Sequence, residues 1–293
     1  MADDSKQDID ELTGTATTGH RWDDIGELDT PLPRWWLWIF YATIVWSIGY
    51  WLVYPSWPLI TSYTKGAFGW GSRSAVATEL ADLKTQRAPM MDRIAAARLD
   101  QIMADPQLLD FARTQGRVTF RENCAACHGA GGAGAPGYPN LNDDDWLFGG
   151  KIDQIADTIR HGSHADDDKG HLTKMPAFGR DGMLKRVEID GVADYVRSLA
   201  GLKVDPRADL AAGKKVFAET CAQCHGPDGK GKLDTGAPNL TDAIWLYGSD
   251  KPTIVDGLWN GRGGVMPAWA TRLDEPTIKA VAVYVFTLGG GQR

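Results

Sequence analysis

The sequence predicts an all-α chain in which one N-terminal transmembrane helix precedes two tandem small helical domains. Three observations carry that prediction. Near the N-terminus lie twenty consecutive residues without a charge; from about residue 108 the chain repeats itself; and apolar positions recur at helical rather than alternating spacing in both copies.

Composition bounds the rest. With 293 residues, 43% of them apolar and 24% charged, most of the mass is predicted to sit in water. A net charge of -7, with Lys and Arg scattered singly, gives no basic footprint for a phosphate backbone, so nucleic acid is not an expected partner. The four cysteines are Cys124, Cys127, Cys221 and Cys224, two C-x-x-C pairs 97 positions apart. If both pairs serve a cofactor, no thiol is left for a structural disulfide.

Residues 1–34 are polar and acidic, with Asp3, Asp4, Asp8, Asp10 and Glu11 ahead of a Thr-rich stretch, and read as a flexible tail. Residues 35–54, from Trp35 to Tyr54, are the uncharged run, and at ~1.5 Å per residue they cross ~30 Å, the depth of a bilayer's hydrocarbon core. Trp35, Trp36 and Trp38 mark one interface and Trp51, Tyr54 and Trp57 the other, while Pro55 and Pro58 stop the helix. A cleaved signal peptide fits poorly, because the flank is acidic and the first A-x-A, at Ala75 to Ala77, lies far beyond the run. Residues 55–107 read as a helical connector, with Leu80 and Leu83 in a segment before Pro89 and Ile94, Leu99, Ile102 and Met103 in one before Pro106. Met90 and Met91 in it are expected to pack rather than to bind a metal.

The repeat places one domain at 108–203 and a second at 204–293. Gly116, Phe120, Cys124, Cys127, His128 and Gly129 match Gly213, Phe217, Cys221, Cys224, His225 and Gly226 at a constant offset of 97. Further on, Pro139, Asn140 and Leu141 answer Pro238, Asn239 and Leu240; Met175, Pro176 and Ala177 answer Met266, Pro267 and Ala268; Tyr195 and Leu199 answer Tyr284 and Leu288. Each copy opens on a helical segment carrying the cysteines and closes on an apolar-periodic one, Val187 to Leu199 or Ile278 to Leu288. Between them lies a Gly-rich stretch too short of apolar residues to make a core by itself.

Cys124-Ala125-Ala126-Cys127-His128 and Cys221-Ala222-Gln223-Cys224-His225 are both C-x-x-C-H, the attachment signature of c-type haem. Sulfurs at i and i+3 share a helix face and can both form thioethers to one porphyrin edge, and the adjacent imidazole then ligates the iron. Each unit is therefore expected to be a class I cytochrome c domain with a covalent haem c. Zinc would need the two pairs brought together, whereas each sits in its own complete repeat. A thioredoxin-like dithiol would need a βαβ setting that is absent.

For the sixth ligands, Met175 and Met266 stand 47 and 41 residues after their histidines, each in Met-Pro-Ala. A thioether favours ferrous iron and raises the potential relative to two imidazoles. Met183 has no counterpart in the second repeat and reads as a packing residue. His161, His164 and His171, with Asp166, Asp167 and Asp168, offer a bis-His or metal alternative, weighed against a solvated loop absent from the shorter second repeat. Pro139 and Pro238, each after a Gly-rich run, are candidate carbonyl acceptors for the outer N–H of the axial histidines, with a plain turn proline as the alternative. The cofactor set is thus Cys124, Cys127, His128, Met175, Cys221, Cys224, His225 and Met266, with His128, Met175, His225 and Met266 on iron. With every axial site filled, neither iron is open to oxygen or peroxide, so the chain is expected to carry electrons without catalytic residues of its own. Attachment of haem c in bacteria is completed outside the cytoplasmic membrane, which puts residues after Tyr54 in the periplasm and the tail in the cytoplasm.

Asp29-Thr30-Pro31-Leu32-Pro33-Arg34-Trp35-Trp36-Leu37-Trp38, then Tyr54-Pro55-Ser56-Trp57-Pro58, ahead of two C-x-x-C-H domains, resembles the dihaem subunit III of cbb3-type cytochrome c oxidases over residues 20–290. Thr30 stands where the family pattern has Asn. The resemblance implies a bacterial inner-membrane subunit that accepts electrons from a cytochrome c donor and passes them, through another haem c subunit, towards the haem-copper centre. It also implies exchanged methionines, Met266 serving the haem on Cys124 and Cys127, and Met175 the haem on Cys221 and Cys224. The residues alone leave ligation within each repeat equally open. Two other classes compete. A dihaem peroxidase would need an iron with a displaceable ligand, against which the matched Met-Pro-Ala argues, and an anchored cytochrome serving a periplasmic dehydrogenase would differ only in its partner.

Overall fold

The computed structural model describes residues 9–292. The chain divides within a long helix into a unit ending at Lys84 and a larger one beginning at Thr85.

The first unit opens with an antiparallel hairpin, β1 (Thr17–Trp22) and β2 (Ile25–Leu28), with Trp22 paired to Ile25 across a two-residue loop. Asp23 takes φ 53° there, a left-handed conformation that a short polar side chain tolerates. Thr18 Oγ1 donates to Glu27 across the strands at 3.0 Å. The described part of the tail read as flexible over 1–34 thus carries a hairpin that the sequence did not suggest; the calls on Asp3, Asp4 and Asp8 fall outside the described residues.

Helix α1 (Arg34–Val53) follows Pro33 and ends where the Tyr54 N–H bonds the Tyr50 carbonyl, so it occupies the predicted uncharged run within a residue. It is long and apolar enough to cross a membrane, and none of its residues is buried by protein. Beyond it the chain turns back onto the helix end. Ala67 N–H bonds the Leu52 carbonyl at 2.9 Å, Gly66 lies so close to Val53 that a Cβ would overlap its backbone, and Trp57 stacks edge-on against Trp51.

Helix α2 (Ser72–Ala96) runs unbroken through Pro89, where the sequence predicts two separate segments. Pro89 is exposed, so the adjustment around its missing N–H takes place in solvent rather than in a core.

The larger unit continues with α3 (Leu99–Ala104) and α4 (Pro106–Asn123), and Asp105 caps α4 by accepting from Gln107 and Leu108 N–H. Then come α5 (Ala125–His128), α6 (Ile152–His161) and α7 (Arg186–Leu199). In the second repeat, α8 (Leu210–Val216) passes through a π-helical turn at Phe217–Cys221 into α9 (Ala222–His225), followed by α10 (Lys251–Asn260) and α11 (Glu275–Phe286).

Two apolar cores form here, and neither is built from one repeat. The first joins Ile94, Ile102 and Phe120 to Ile155 and Ile159 of α6 and to Ile278, Val281 and Val285 of α11. The second joins Ile189, Val192 and Val196 of α7 to Phe217, Val255 and Leu258. Thus α11, which closes the second repeat, packs on α4 of the first, and α7, which closes the first, packs on α8 of the second. Glycine allows both crossings: a Cβ on Gly116 would strike the Ala280 carbonyl, and one on Gly213 the Gly191 carbonyl. Ion pairs repeat the pattern, Arg160 to Glu275 at 2.6 Å from α6 to α11 and Lys251 to Asp194 at 2.6 Å from α10 to α7.

Candidate haem sites

Each C-x-x-C-H closes a helix. In both copies the glycine after the histidine, Gly129 or Gly226, turns to φ 79° and stops the helix, leaving the imidazole at its last position. His128 Nδ1 lies 3.0 Å from the Pro139 carbonyl and His225 Nδ1 lies 3.0 Å from the Pro238 carbonyl. A carbonyl only accepts, so each Nδ1 carries the proton and each Nε2 presents its lone pair, as an iron ligand must. Both prolines serve as orienting acceptors rather than as plain turn residues. Burial also pushes His225 below the ordinary imidazole value, which favours the neutral ring, while the Pro238 carbonyl pulls the other way.

The cysteines are unpaired thiols. Burial first, and the neighbouring cysteine second, push Cys124 up to about 11 and Cys221 likewise to about 11. A redox dithiol needs the opposite, a depressed leading thiol, so this environment argues against thioredoxin-like chemistry.

The methionines lie at the crossing of the two repeats. Met266 and Cys124 both pack, partly buried, against the first core, while Met175 packs against the second core, which includes Cys221. Their backbones are fixed by matched two-way bonds. Ser163 and Met266 exchange hydrogen bonds of 3.0 and 2.9 Å, and Met175 and Arg262 exchange bonds of 3.1 and 3.2 Å. The residues before Ser163 and Arg262 are Gly162 at φ 72° and Gly261 at φ 77°, and a Cβ on either would meet the opposing methionine's backbone. Each helix end is thereby seated on the methionine strand of the other repeat.

The residues present fit a porphyrin. Leu141, Trp146, Ile152 and Met266 stay half-buried beside the first core, and Leu184, Leu240, Trp245, Ile254 and Met175 beside the second, apolar faces that a flat macrocycle between histidine and methionine would cover. Met183 is exposed, not packed, which corrects the expectation for it.

In the alternative ligand loop, as elsewhere among the described residues, no three His, Cys, Asp or Glu side chains come together in a group that could hold an ion. His161 pairs with Asp167 at 2.9 Å, which keeps that carboxyl below the usual carboxylate range. His171 faces Thr158 Oγ1 and stacks on Phe148 at 3.6 Å, and burial holds it below the ordinary imidazole value. Sequence reasoning missed the packing of Phe120 on Tyr284 and of Phe217 on Tyr195, each at 5.4 Å, although all four residues were visible in the repeat alignment. It also missed Asp145, a half-buried carboxyl pushed up to about 6 by desolvation and then by Asp242 of the other repeat.

Comparison with known proteins shows the family. The family described as cytochrome C oxidase, cbb3-type, subunit III matches residues 112–196 and 208–285, and the N-terminal domain of cytochrome oxidase-cbb3, FixP, matches residues 14–61. Over the whole of both chains, this one is 58% identical to the cbb3-type cytochrome c oxidase subunit FixP of Bradyrhizobium sp. (strain ORS 278). It is 55% identical to the FixP subunit of Azorhizobium caulinodans over 97% of this chain and 96% of that one. Against the CcoP subunit of Azospirillum sp. (strain B510) it is 50% identical over 97% of this chain and 98% of that one. With one apolar N-terminal helix followed by two repeats, each carrying a cysteine-histidine helix and then a Met-Pro-Ala segment, the chain belongs to the family of cbb3-type cytochrome c oxidase subunit III.

Proposed function

We propose that this chain takes electrons from a cytochrome c donor and passes them, through two covalently held haem c groups, towards the haem-copper subunit of a cbb3-type oxidase. Its part in that complex is electron transfer rather than catalysis. Each haem supplies one reversible ferric–ferrous couple.

The chain's own residues bind and orient the haems. Cys124 and Cys127 would tether one haem, with His128 and Met266 as the residues that would hold its iron; Cys221 and Cys224 would tether the second, with His225 and Met175 in the same roles. The observation that carries this pairing is the sharing of cores, Met266 with Cys124 and Met175 with Cys221. The functional lobes accordingly draw on both repeats, 108–203 and 204–293. Pro139 and Pro238 keep the proton on Nδ1 of each histidine and hold each ring's orientation. Thioether ligation opposite imidazole supports a potential suited to a respiratory carrier. With both a histidine and a methionine held ready for each iron, the site would leave no open position for oxygen or peroxide, which disfavours a peroxidase.

Helix α1 is read as a single-pass anchor in a bacterial inner membrane, with the short hairpin segment on the cytoplasmic side, the connector over 55–107 outside, and both haem lobes in the periplasm. Its aromatic ends support the span, and the periplasmic completion of haem c attachment supports the orientation. Extraction in mild detergent tests the assignment. Recovery of this chain with a polytopic haem-copper subunit and cytochrome c-driven oxygen consumption is the expected result, and recovery with a periplasmic dehydrogenase alone would contradict it.

A further inference from the structure

His164 sits where the two methionine strands cross, in the loop that the second repeat lacks. Among the described residues it is one of two non-glycine positions with positive φ, at 53°, and unlike Asp23 it does not lie in a hairpin turn. A residue held in that region marks a place where the surroundings dictate the backbone. Here the ring does the holding. Nδ1 lies 2.6 Å from the Gly264 carbonyl and Nε2 lies 2.7 Å from the Thr173 carbonyl. Gly264 is two residues ahead of Met266 and Thr173 two residues ahead of Met175, so one side chain spans both methionine strands. The backbone adds to the same knot: His164 N–H bonds the His171 carbonyl at 2.7 Å, and the neighbouring Ser163 exchanges bonds with Met266.

We propose that His164 is a positioning residue that straps the two methionine strands together and so sets the sixth ligand of both irons at once. Both ring nitrogens face oxygens that can only accept, and a neutral imidazole donates from one nitrogen alone, so both bonds of the strap are made together only by the imidazolium, which donates in two opposite directions. Neither His161, paired with Asp167, nor His171, stacked on Phe148, reaches both strands. The inference rests on the methionine ligation proposed above. It adds that the two irons are mechanically linked through one imidazole rather than adjusted independently.

The test uses the full chain in its oxidase complex, reading the weak red-region absorption of a thioether bound to ferric iron together with both haem midpoint potentials. His164→Ala is expected to weaken that band and lower both midpoints together, while His161→Ala in the same loop leaves them unchanged. His164→Asn guards against misfolding, because Asn tolerates positive φ and its amide is too short to span both carbonyls. Haem content is expected to stay at two per chain in that variant while both midpoints still fall. Unchanged band and midpoints in His164→Asn, or a shift confined to one haem, would overturn the strap while leaving methionine ligation standing. Absence of the band from the unsubstituted protein would overturn the ligation and the strap together.

Discussion

Tyr284, near the end of the second repeat, lies with its ring 5.4 Å from that of Phe120 in the first, tilted by 56°. Its counterpart Tyr195 meets Phe217 at 5.4 Å and 58°. The same helix pairing is thus made twice, each time between opposite repeats. A fragment holding only residues 108–203 keeps its cysteine helix but loses α11, and with it Ile278, Val281 and Val285. Expressed alone with haem maturation, it is expected to show little helical circular dichroism and no stable methionine-ligated haem. A folded, fully ligated fragment would show that each repeat closes on itself.

The glycine at each crossing is a second handle. Gly116→Val places a branched side chain against the Ala280 carbonyl and the Tyr284 Cβ. Overpacking of this kind costs ~1–3 kcal/mol, and more where backbone must move. Denaturant unfolding is expected to show that loss, with methionine ligation at the haem on Cys124 lost first while that haem stays covalently attached.

Buried charge gives a third prediction. Asp194 is 6% exposed and its carboxylate accepts from Lys251 Nζ at 2.6 Å. Lys251→Met leaves that carboxylate without its cation, and because the lysine is itself partly solvated the expected loss is ~2–3 kcal/mol, below the full cost of breaking a wholly buried pair. The paired change Asp194→Asn with Lys251→Met is expected to recover part of it in thermal unfolding.

Asp145 predicts a pH dependence of defined sign. Its carboxyl rises from an unfolded value of 3.8 to about 6 in the fold, through desolvation and then the like charge of Asp242. Between those values the folded chain holds a proton that the unfolded chain has released, so this group's contribution to stability falls as pH rises through about 4 to 6. Asp145→Asn removes that slope and is expected to raise stability at neutral pH, as unfolding midpoints measured across the window would report. An unchanged slope would place the raised group elsewhere.

Much of this was legible in the residues, for identifiable reasons. A twenty-residue uncharged run has one economical meaning, and C-x-x-C-H marks the tether; the matched prolines could equally be turn residues until the structure sets their carbonyls 3.0 Å from Nδ1 of His128 and His225. The exchange was not legible from pattern alone. Phe120 and Phe217, and Tyr195 and Tyr284, are chemically the same, so the matched aromatic residues by themselves fit either closing helix to either opening helix. The hairpin at Thr17–Leu28 escaped because its strands carry few apolar residues and both faces are exposed. Pro89 misled because a proline in a solvated helix costs less continuity than one in a core. His164 was visible only as one histidine among several; its two carbonyl partners come from segments about ten and a hundred residues away.

The exchanged ligation is tested most directly in a chain carrying one haem. With Cys221 and Cys224 replaced by alanine, only the haem on Cys124 and Cys127 remains, and its thioether-to-iron absorption is read after Met266→Ala and, separately, after Met175→Ala. Loss of the band with Met266→Ala and its retention with Met175→Ala is the expected result; the reverse would show that each repeat supplies its own iron with methionine.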